Sequence, residues 1–349
     1  MWPASGCPPT RGAHCMEDMR VDVSALFGRT PQQQTLAAPV EVTGRTLHSG
    51  EIARMTLHPA NPGLGICFSR SDRTFADGLI LARWTNLAAG ALCTQLENGR
   101  GVRVRLVEHV LAALAACAVD NAIIEIDGDE PPVLDGSAAL FVDLIQRAGV
   151  VRQAAPLPVI EILEPVQVRD GERHATLQPA PGPMLDARID FPCPSVGIQH
   201  LRLPPTPAIV RRELAPARTF GCTSDHEGLM QRGLAQGAAL TNTVVIHDGR
   251  VLNLEGLRFA DEFVRHKLLD VVGDLMLAGA PILGEYVANR PGHALTAALL
   301  RKLFRIDSAW RLRSSSGSIT TVSDRPASRR MLEQWMHQRG QPTASARAA

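Results

Sequence analysis

Apolar residues in this chain switch repeatedly between a spacing of two and a spacing of three to four, and they do so twice in the same order. In the first half, alternation at Val40/Val42, at Ala53/Met55/Leu57 and at Val102/Val104/Leu106 predicts short strands. A helix rich in Ala and Leu follows over 108–117, then a strand over 121–126, a Pro/Gly loop over 127–136, and a helix over 137–148 opened by Ser137 as its cap. The second half predicts strands over 159–168, 174–177 and 185–191. A hairpin across Asp248-Gly249 joins 243–246 to 251–253, ahead of a helix over 258–278, a strand over 282–288 and a helix over 293–304. Each half thus closes on helix, strand, loop, helix, although no repeat is visible residue by residue. The expectation is an α+β fold of two related layered halves, 34–152 and 158–310, with a site where they face each other. A turn-rich lead-in (1–33) and an Arg/Ser/Ala-rich tail (323–349, with at most a short helix over 331–337) are expected to be disordered and flexible.

Composition removes several function classes. Hydrophobic residues make up 45% and charged residues 20%, the balance of an ordinary globular protein. Net charge is +1 and aromatic content 4%, with a single tyrosine, Tyr286. Neither a nucleic-acid partner nor a polybasic membrane anchor is expected from such a chain. No apolar run approaches the roughly 20 residues of a spanning helix, so stable membrane insertion is not expected either. The seven cysteines include no C-x-x-C pair, and the N-terminus lacks the apolar stretch of a secretory signal. A cytoplasmic, monomeric protein is the expectation, with Met16 and Met19 as alternative starts.

Chemically capable residues concentrate in Val264-Arg265-His266-Lys267-Leu268-Leu269-Asp270-Val271-Val272-Gly273-Asp274. On a helix, positions four apart differ by only about 40° in direction, so His266 and Asp270 project side by side. An imidazole and a carboxylate so placed suit one divalent ion such as Zn²⁺; a surface ion pair is the plainer alternative. His109 is the candidate third ligand. Its neighbour Glu108 has the position of a general base, although an acidic residue at a helix start also complements the helix dipole. His293, in Pro291-Gly292-His293, stands before a helix, where a histidine is commonly exposed or a cap.

Taken together, these segments resemble the UDP-3-O-acyl-N-acetylglucosamine deacetylase family of lipid A synthesis. The runs that carry the resemblance are Val42-Thr43-Gly44 with Leu47-His48-Ser49-Gly50, Val107-Glu108-His109-Val110-Leu111, Leu134-Asp135-Gly136-Ser137-Ala138, Ala217-Arg218-Thr219-Phe220-Gly221, the stretch 256–274, and Gly292-His293-Ala294-Leu295. They extend from about residue 34 to 305. The resemblance implies two similar α/β sandwich domains packed through their helix layers, with the active site at the interface. It implies Zn²⁺ held by His109, His266 and Asp270, and Glu108 as base. It further implies His293, oriented by Asp274, as the imidazolium that protonates the leaving amine, and Thr219 as a hydroxyl polarising the amide carbonyl. Lys267, Phe191, Phe220 and Arg173 would contact the nucleotide end of a small-molecule UDP-sugar lipid substrate.

Some positions depart from the family pattern. Thr46 stands where glycine is usual, and Ala238-Ala239 replaces Gly-Ser. The segment 222–230, similar to the wall of an acyl passage, carries Cys222, His226 and Gly228 in place of larger apolar residues. These changes predict a hydrated or shortened passage. Two other readings fit the same residues: a zinc amidohydrolase acting on another N-acylated sugar, and a non-catalytic paralogue that binds a nucleotide sugar.

Overall fold

Two five-stranded sheets with the same internal order frame the molecule, as seen in a computed structural model describing residues 21–90 and 92–315. In the first, Val40–Arg45 pairs antiparallel with Ile52–Pro59, which pairs antiparallel with Ala122–Ile126. That strand then runs parallel to Ile66–Arg70, which is edged by Leu79–Leu81. In the second, Val166–Asp170, Arg173–Gln178, Glu285–Asn289, Met184–Asp190 and Ile198–Leu203 follow one another with the same sequence of antiparallel and parallel pairings. The echo between the halves is therefore a shared topology.

Helices fill the space between the sheets. Ala139–Ala148 touches the first sheet, His293–Leu303 and Glu262–Leu275 touch the second, and Glu108–Ala116 lies directly against Glu262–Leu275. The outer helices Ala139–Ala148 and His293–Leu303 are amphipathic. Glu108–Ala116 and Glu262–Leu275 are buried almost all round, the state expected of a helix enclosed in a core. Their close approach depends on small residues. A Cβ on Gly273 would overlap the carbonyl of Glu108, so this mid-helix glycine, unfavourable by propensity, is what lets the two backbones meet.

Several expected elements differ in detail. The strand expected over 159–168 is two strands, Pro158–Ile162 and Val166–Asp170, which belong to different sheets. Pro165 supplies no amide donor between them. The strand expected over 282–288 divides likewise into Ile282–Leu283 and Glu285–Asn289 at Gly284, where a Cβ would meet Ile162 at 2.8 Å. The helix expected over 258–278 is Glu262–Leu275 followed by a 3-10 turn, Met276–Ala278. Ser137 accepts the Ala139 amide at 3.1 Å, but the helix begins one residue later than a Ser137 cap implies, with Ala138 at the N-cap.

Disorder over 1–33 is corrected for residues 21–33. A short helix, Val23–Phe27, buries Val23 and Phe27, and Gln32–Leu36 pairs with Val150–Pro156. The segment expected to join the halves is thus largely strand. Arg29 ties the lead-in to the core through Asp120 at 2.5 Å. The remainder of the lead-in (1–20) and the tail (323–349) lie outside the described residues.

Candidate active site

Each of the two buried helices brings ionisable side chains into the core, which costs free energy unless they are paired or employed. Glu108 and His109 open the first helix; His266, Asp270 and Asp274 lie along one face of the second; all five are at most 4% exposed. His109 and His266 pack edge to face with ring centroids 5.0 Å apart. Their Nε2 atoms lie 3.6 and 3.5 Å from Asp270 Oδ1, and the three residues offer ligand atoms within 4.8 Å of one another.

A cation fits these residues. His266 Nδ1 donates to the Ala217 carbonyl at 3.1 Å, which leaves its Nε2 lone pair facing the cluster. Burial, partly opposed by Asp270, pushes His266 down to about 3, so the ring is a neutral donor. Burial would raise Asp270, yet His266, Lys267 and His109 together hold its carboxyl well below the usual range. Asp270 Oδ1 is buried with no hydrogen-bond partner among the described residues, an orphaned acceptor between two imidazole nitrogens. Two imidazoles and one carboxylate are a ligand set for a borderline divalent ion.

The second group of side chains lies beside the first. His293, the first residue of His293–Leu303, directs Nε2 to within 3.7 Å of Glu108 Oε1 and 3.8 Å of Asp270 Oδ2. Its Nδ1 bonds Asp274 Oδ2 at 3.0 Å. Burial would lower this imidazole, but the carboxylates of Asp274 and Glu108 outweigh it and raise it to about 10. Burial also raises Glu108, against the pull of His293 and His109. The pair therefore combines a carboxylate of increased basicity with an imidazolium, one able to take a proton and the other to give one.

Backbone conformation at the approaches is unusual. Leu92, Leu106 and Arg290, all with φ between 52° and 68°, precede Thr94, Glu108 and His293 by two or three residues. Left-handed conformations at branched or long residues are sparsely populated and persist where surrounding structure imposes them.

The other expected site residues divide into two groups. Phe220 stands 6.2 Å from the His266 ring and edge-on to Phe191 at 5.5 Å and Phe263 at 4.9 Å. Lys267 reaches over Phe220 at 5.6 Å while bonding Asp270 Oδ2 at 2.9 Å. Phe191, Phe220 and Lys267 thus form one wall next to the ligand cluster. Arg173 is elsewhere: it donates to the Arg290 carbonyl at 3.3 Å and lies against Gly292, beside the loop that presents His293. Thr219 follows Ala217 by two residues. Its amide is fixed to the Gly136 carbonyl at 2.8 Å and its methyl group lies against Gly136.

The departures from the family pattern have a structural account in part. Thr46 is buried with its hydroxyl paired to Ser49 at 2.6 Å, and a Cβ on Gly237 would overlap the Thr46 carbonyl. His226 and Gly228 sit exposed on Thr223–Gln231, a helix with no buried residue. An exposed imidazole keeps its water, so His226 carries no cost of unpaired burial.

Three features were missed by reading the sequence. Thr94 bonds Asp274, His293 and Glu108. Arg218 and Glu262 form a buried pair, with the Arg218 amide and Nε both 2.9 Å from Glu262 Oε1, locking segment 217–219 to the start of the ligand-bearing helix. His48, held near 4 by burial and by Arg105, lines a cavity of about 250 Å³ with Cys93, Gln95, Arg105, Arg232 and Leu234. Arg218, Glu262 and His48 all fall within the runs that carry the family resemblance, whereas Thr94 lies outside them.

The α+β frame thus gathers Glu108, His109, His266, Asp270, Asp274 and His293 where its central helices meet. The chain belongs to the UDP-3-O-acyl N-acetylglycosamine deacetylase family, whose pattern matches residues 33–305. A UDP-3-O-acyl-N-acetylglucosamine deacetylase of Phenylobacterium zucineum (strain HLK1) is 43% identical over 282 residues, covering 81% of this chain and 96% of the relative. One of the same name from Shewanella sp. (strain W3-18-1) is 42% identical over 282 residues, 80% of this chain and 92% of the relative.

Proposed function

We propose that this protein hydrolyses the N-acetyl group of UDP-3-O-acyl-N-acetylglucosamine, giving acetate and UDP-3-O-acyl-glucosamine, an early step of lipid A synthesis, and that it does so with one Zn²⁺ per chain. Family membership supports the substrate. The chemistry rests above all on one observation: Asp270 Oδ1 is orphaned between the Nε2 atoms of His109 and His266, while Asp270 Oδ2 lies 3.8 Å from His293 Nε2, which is itself 3.7 Å from Glu108 Oε1.

In this reading His109, His266 and Asp270 hold the ion. When bound, Zn²⁺ supplies a Lewis acid that polarises the amide carbonyl and increases the acidity of water. Glu108 takes a proton from the attacking water. Collapse of the tetrahedral adduct requires a proton for the glucosamine nitrogen, which His293 delivers from Nε2 while Asp274 keeps Nδ1–H fixed. Thr219 donates toward the developing oxyanion. Lys267, Phe191 and Phe220 bind the nucleotide end, where an aromatic face suits uracil and the cation suits the diphosphate, and Arg173 reaches the substrate from the separate side of the His293 loop. Residues 34–152 and 158–310 act as two domains of a cytoplasmic monomer.

The direct test follows acetate release by purified protein from UDP-3-O-acyl-N-acetylglucosamine across a series of acyl lengths. Turnover dependent on the N-acetyl group supports the proposal. Absence of turnover at every length, in protein containing stoichiometric zinc, overturns it.

A further inference from the structure

Thr94 lies 180 residues from Asp274 and 199 from His293 in sequence, yet it touches both. It precedes the strand Gln95–Glu97, which pairs with Arg103–Arg105 and so brings Thr94 opposite the start of the Glu108–Ala116 helix. There its carbonyl accepts the Val107 amide at 3.5 Å, and its own amide donates to Glu108 Oε2 at 3.0 Å. Its hydroxyl donates to Asp274 Oδ1 and stands 3.0 Å from His293 Nδ1. A hydroxyl has one proton to give and lone pairs to accept with. With that proton on Asp274, the Thr94 oxygen accepts from His293 Nδ1–H, which Asp274 Oδ2 also accepts at 3.0 Å. Asp274, Thr94 and His293 form a closed ring of hydrogen bonds, all buried or nearly so.

We infer that Thr94 is a positioning residue for proton transfer: its hydroxyl fixes Asp274 and the His293 ring, while its amide fixes Glu108, so that the proton-accepting and proton-donating groups keep one relative geometry. This rests on the roles proposed for Glu108 and His293. The ring needs the hydroxyl, and the β-branched χ1 of threonine adds to its order. Without the hydroxyl, Asp274 Oδ1 loses its donor in a buried place and the imidazole loses one of its two acceptors. The backbone link to Glu108 survives any side-chain change, so the two functions of the residue are separable.

The test compares Thr94→Val, which keeps shape and removes the hydroxyl, with Thr94→Ser, which keeps the hydroxyl. Thr94→Val is expected to lower kcat by about 10- to 100-fold, the scale of a misplaced catalytic group, with KM and bound zinc unchanged. Thr94→Ser is expected to recover most of the loss. A structure-independent reading comes from proton NMR: the His293 Nδ1–H, identified by its disappearance in His293→Gln, should resonate at low field and move in Thr94→Val. Wild-type kcat in Thr94→Val, or equal losses in the Val and Ser variants, overturns the inference. So does a low-field signal that Thr94→Val leaves in place. Should Thr94→Val fail to fold, the Ser variant decides through kcat, and a wild-type spectrum without a low-field His293 proton overturns the inference. If wild-type protein with full zinc shows no turnover, the functional proposal fails while the NMR comparison still decides the ring.

Discussion

Charge placement at the level of single side chains sets what the site can do. Asp270 Oδ1 is buried with no hydrogen-bond partner among the described residues, and the Nε2 atoms of His109 and His266 lie 3.6 and 3.5 Å from it. His266→Ala and Asp270→Ala are accordingly expected to lose stoichiometric zinc, as measured by metal analysis of purified protein; full retention in both contradicts the ligand assignment. Glu108→Gln should retain the metal and lower kcat by about 10²–10⁴, the range for a positioned acid or base. The pH dependence follows from the two shifted groups. In the proposed mechanism Glu108 acts deprotonated and burial raises its carboxyl, so kcat/KM is expected to fall with acid at a pH above the ordinary carboxylate range. His293, proposed to act protonated, is raised to about 10, so activity is expected to be lost as pH rises through its titration. A bound cation lowers both, moving each limb to lower pH without exchanging them. His293→Ala should abolish the alkaline limb, and a variant profile with that limb intact assigns the proton donor elsewhere. The residues read most securely from sequence were those with local spacing: His266 and Asp270 are one helical turn apart and Glu108 adjoins His109. Thr94 gave no such signal, because its partners are close only in space.

At the scale of elements, the position of every side chain in the site depends on how two helices meet. Gly273 lets Glu262–Leu275 approach the Glu108 carbonyl, and the Arg218–Glu262 pair fixes the helix start so that Ala217 reaches His266 Nδ1. Gly273→Ala is expected to destabilise by about 1–3 kcal/mol, the usual cost of overpacking, and to weaken zinc binding, because Glu108 and His109 shift relative to Asp270. Thermal unfolding and metal affinity measured together check this; unchanged values for both mean the helices have slack at the crossing. The periodic elements were legible in sequence wherever one face is wet, as in Ile52–Pro59 with Ala53, Met55 and Leu57 inward. Ile66–Arg70 was not, because all five of its residues are buried and no alternation marks it. The strand breaks at 163–165 and Gly284 were likewise hidden, since a strand that passes from one sheet to another keeps its apolar pattern throughout.

For the whole molecule, the shared strand order of the two sheets was only partly foreseen: the repeated order of elements could be read, but not the pairing, which requires contacts between distant segments. The lead-in was misread for the same reason, as Gln32–Leu36 gains its order from Val150–Pro156 rather than from its own sequence. A zinc ion at the proposed site, shared by both helix layers, would couple metal to the fold. Removing zinc should lower Tm by about 5 °C or more, taking roughly 3 kcal/mol for a ligand at a hundredfold over Kd; an unchanged Tm places the ion outside the helix crossing. The central claim is that one zinc ion, held by His109, His266 and Asp270, is required for release of acetate from the substrate. Titration of chelator-treated protein with Zn²⁺, followed by acetate release from UDP-3-O-acyl-N-acetylglucosamine, tests it most directly. Activity should be absent in the metal-free protein and rise in proportion to added zinc up to one equivalent per chain. Full activity in metal-free protein would contradict the account.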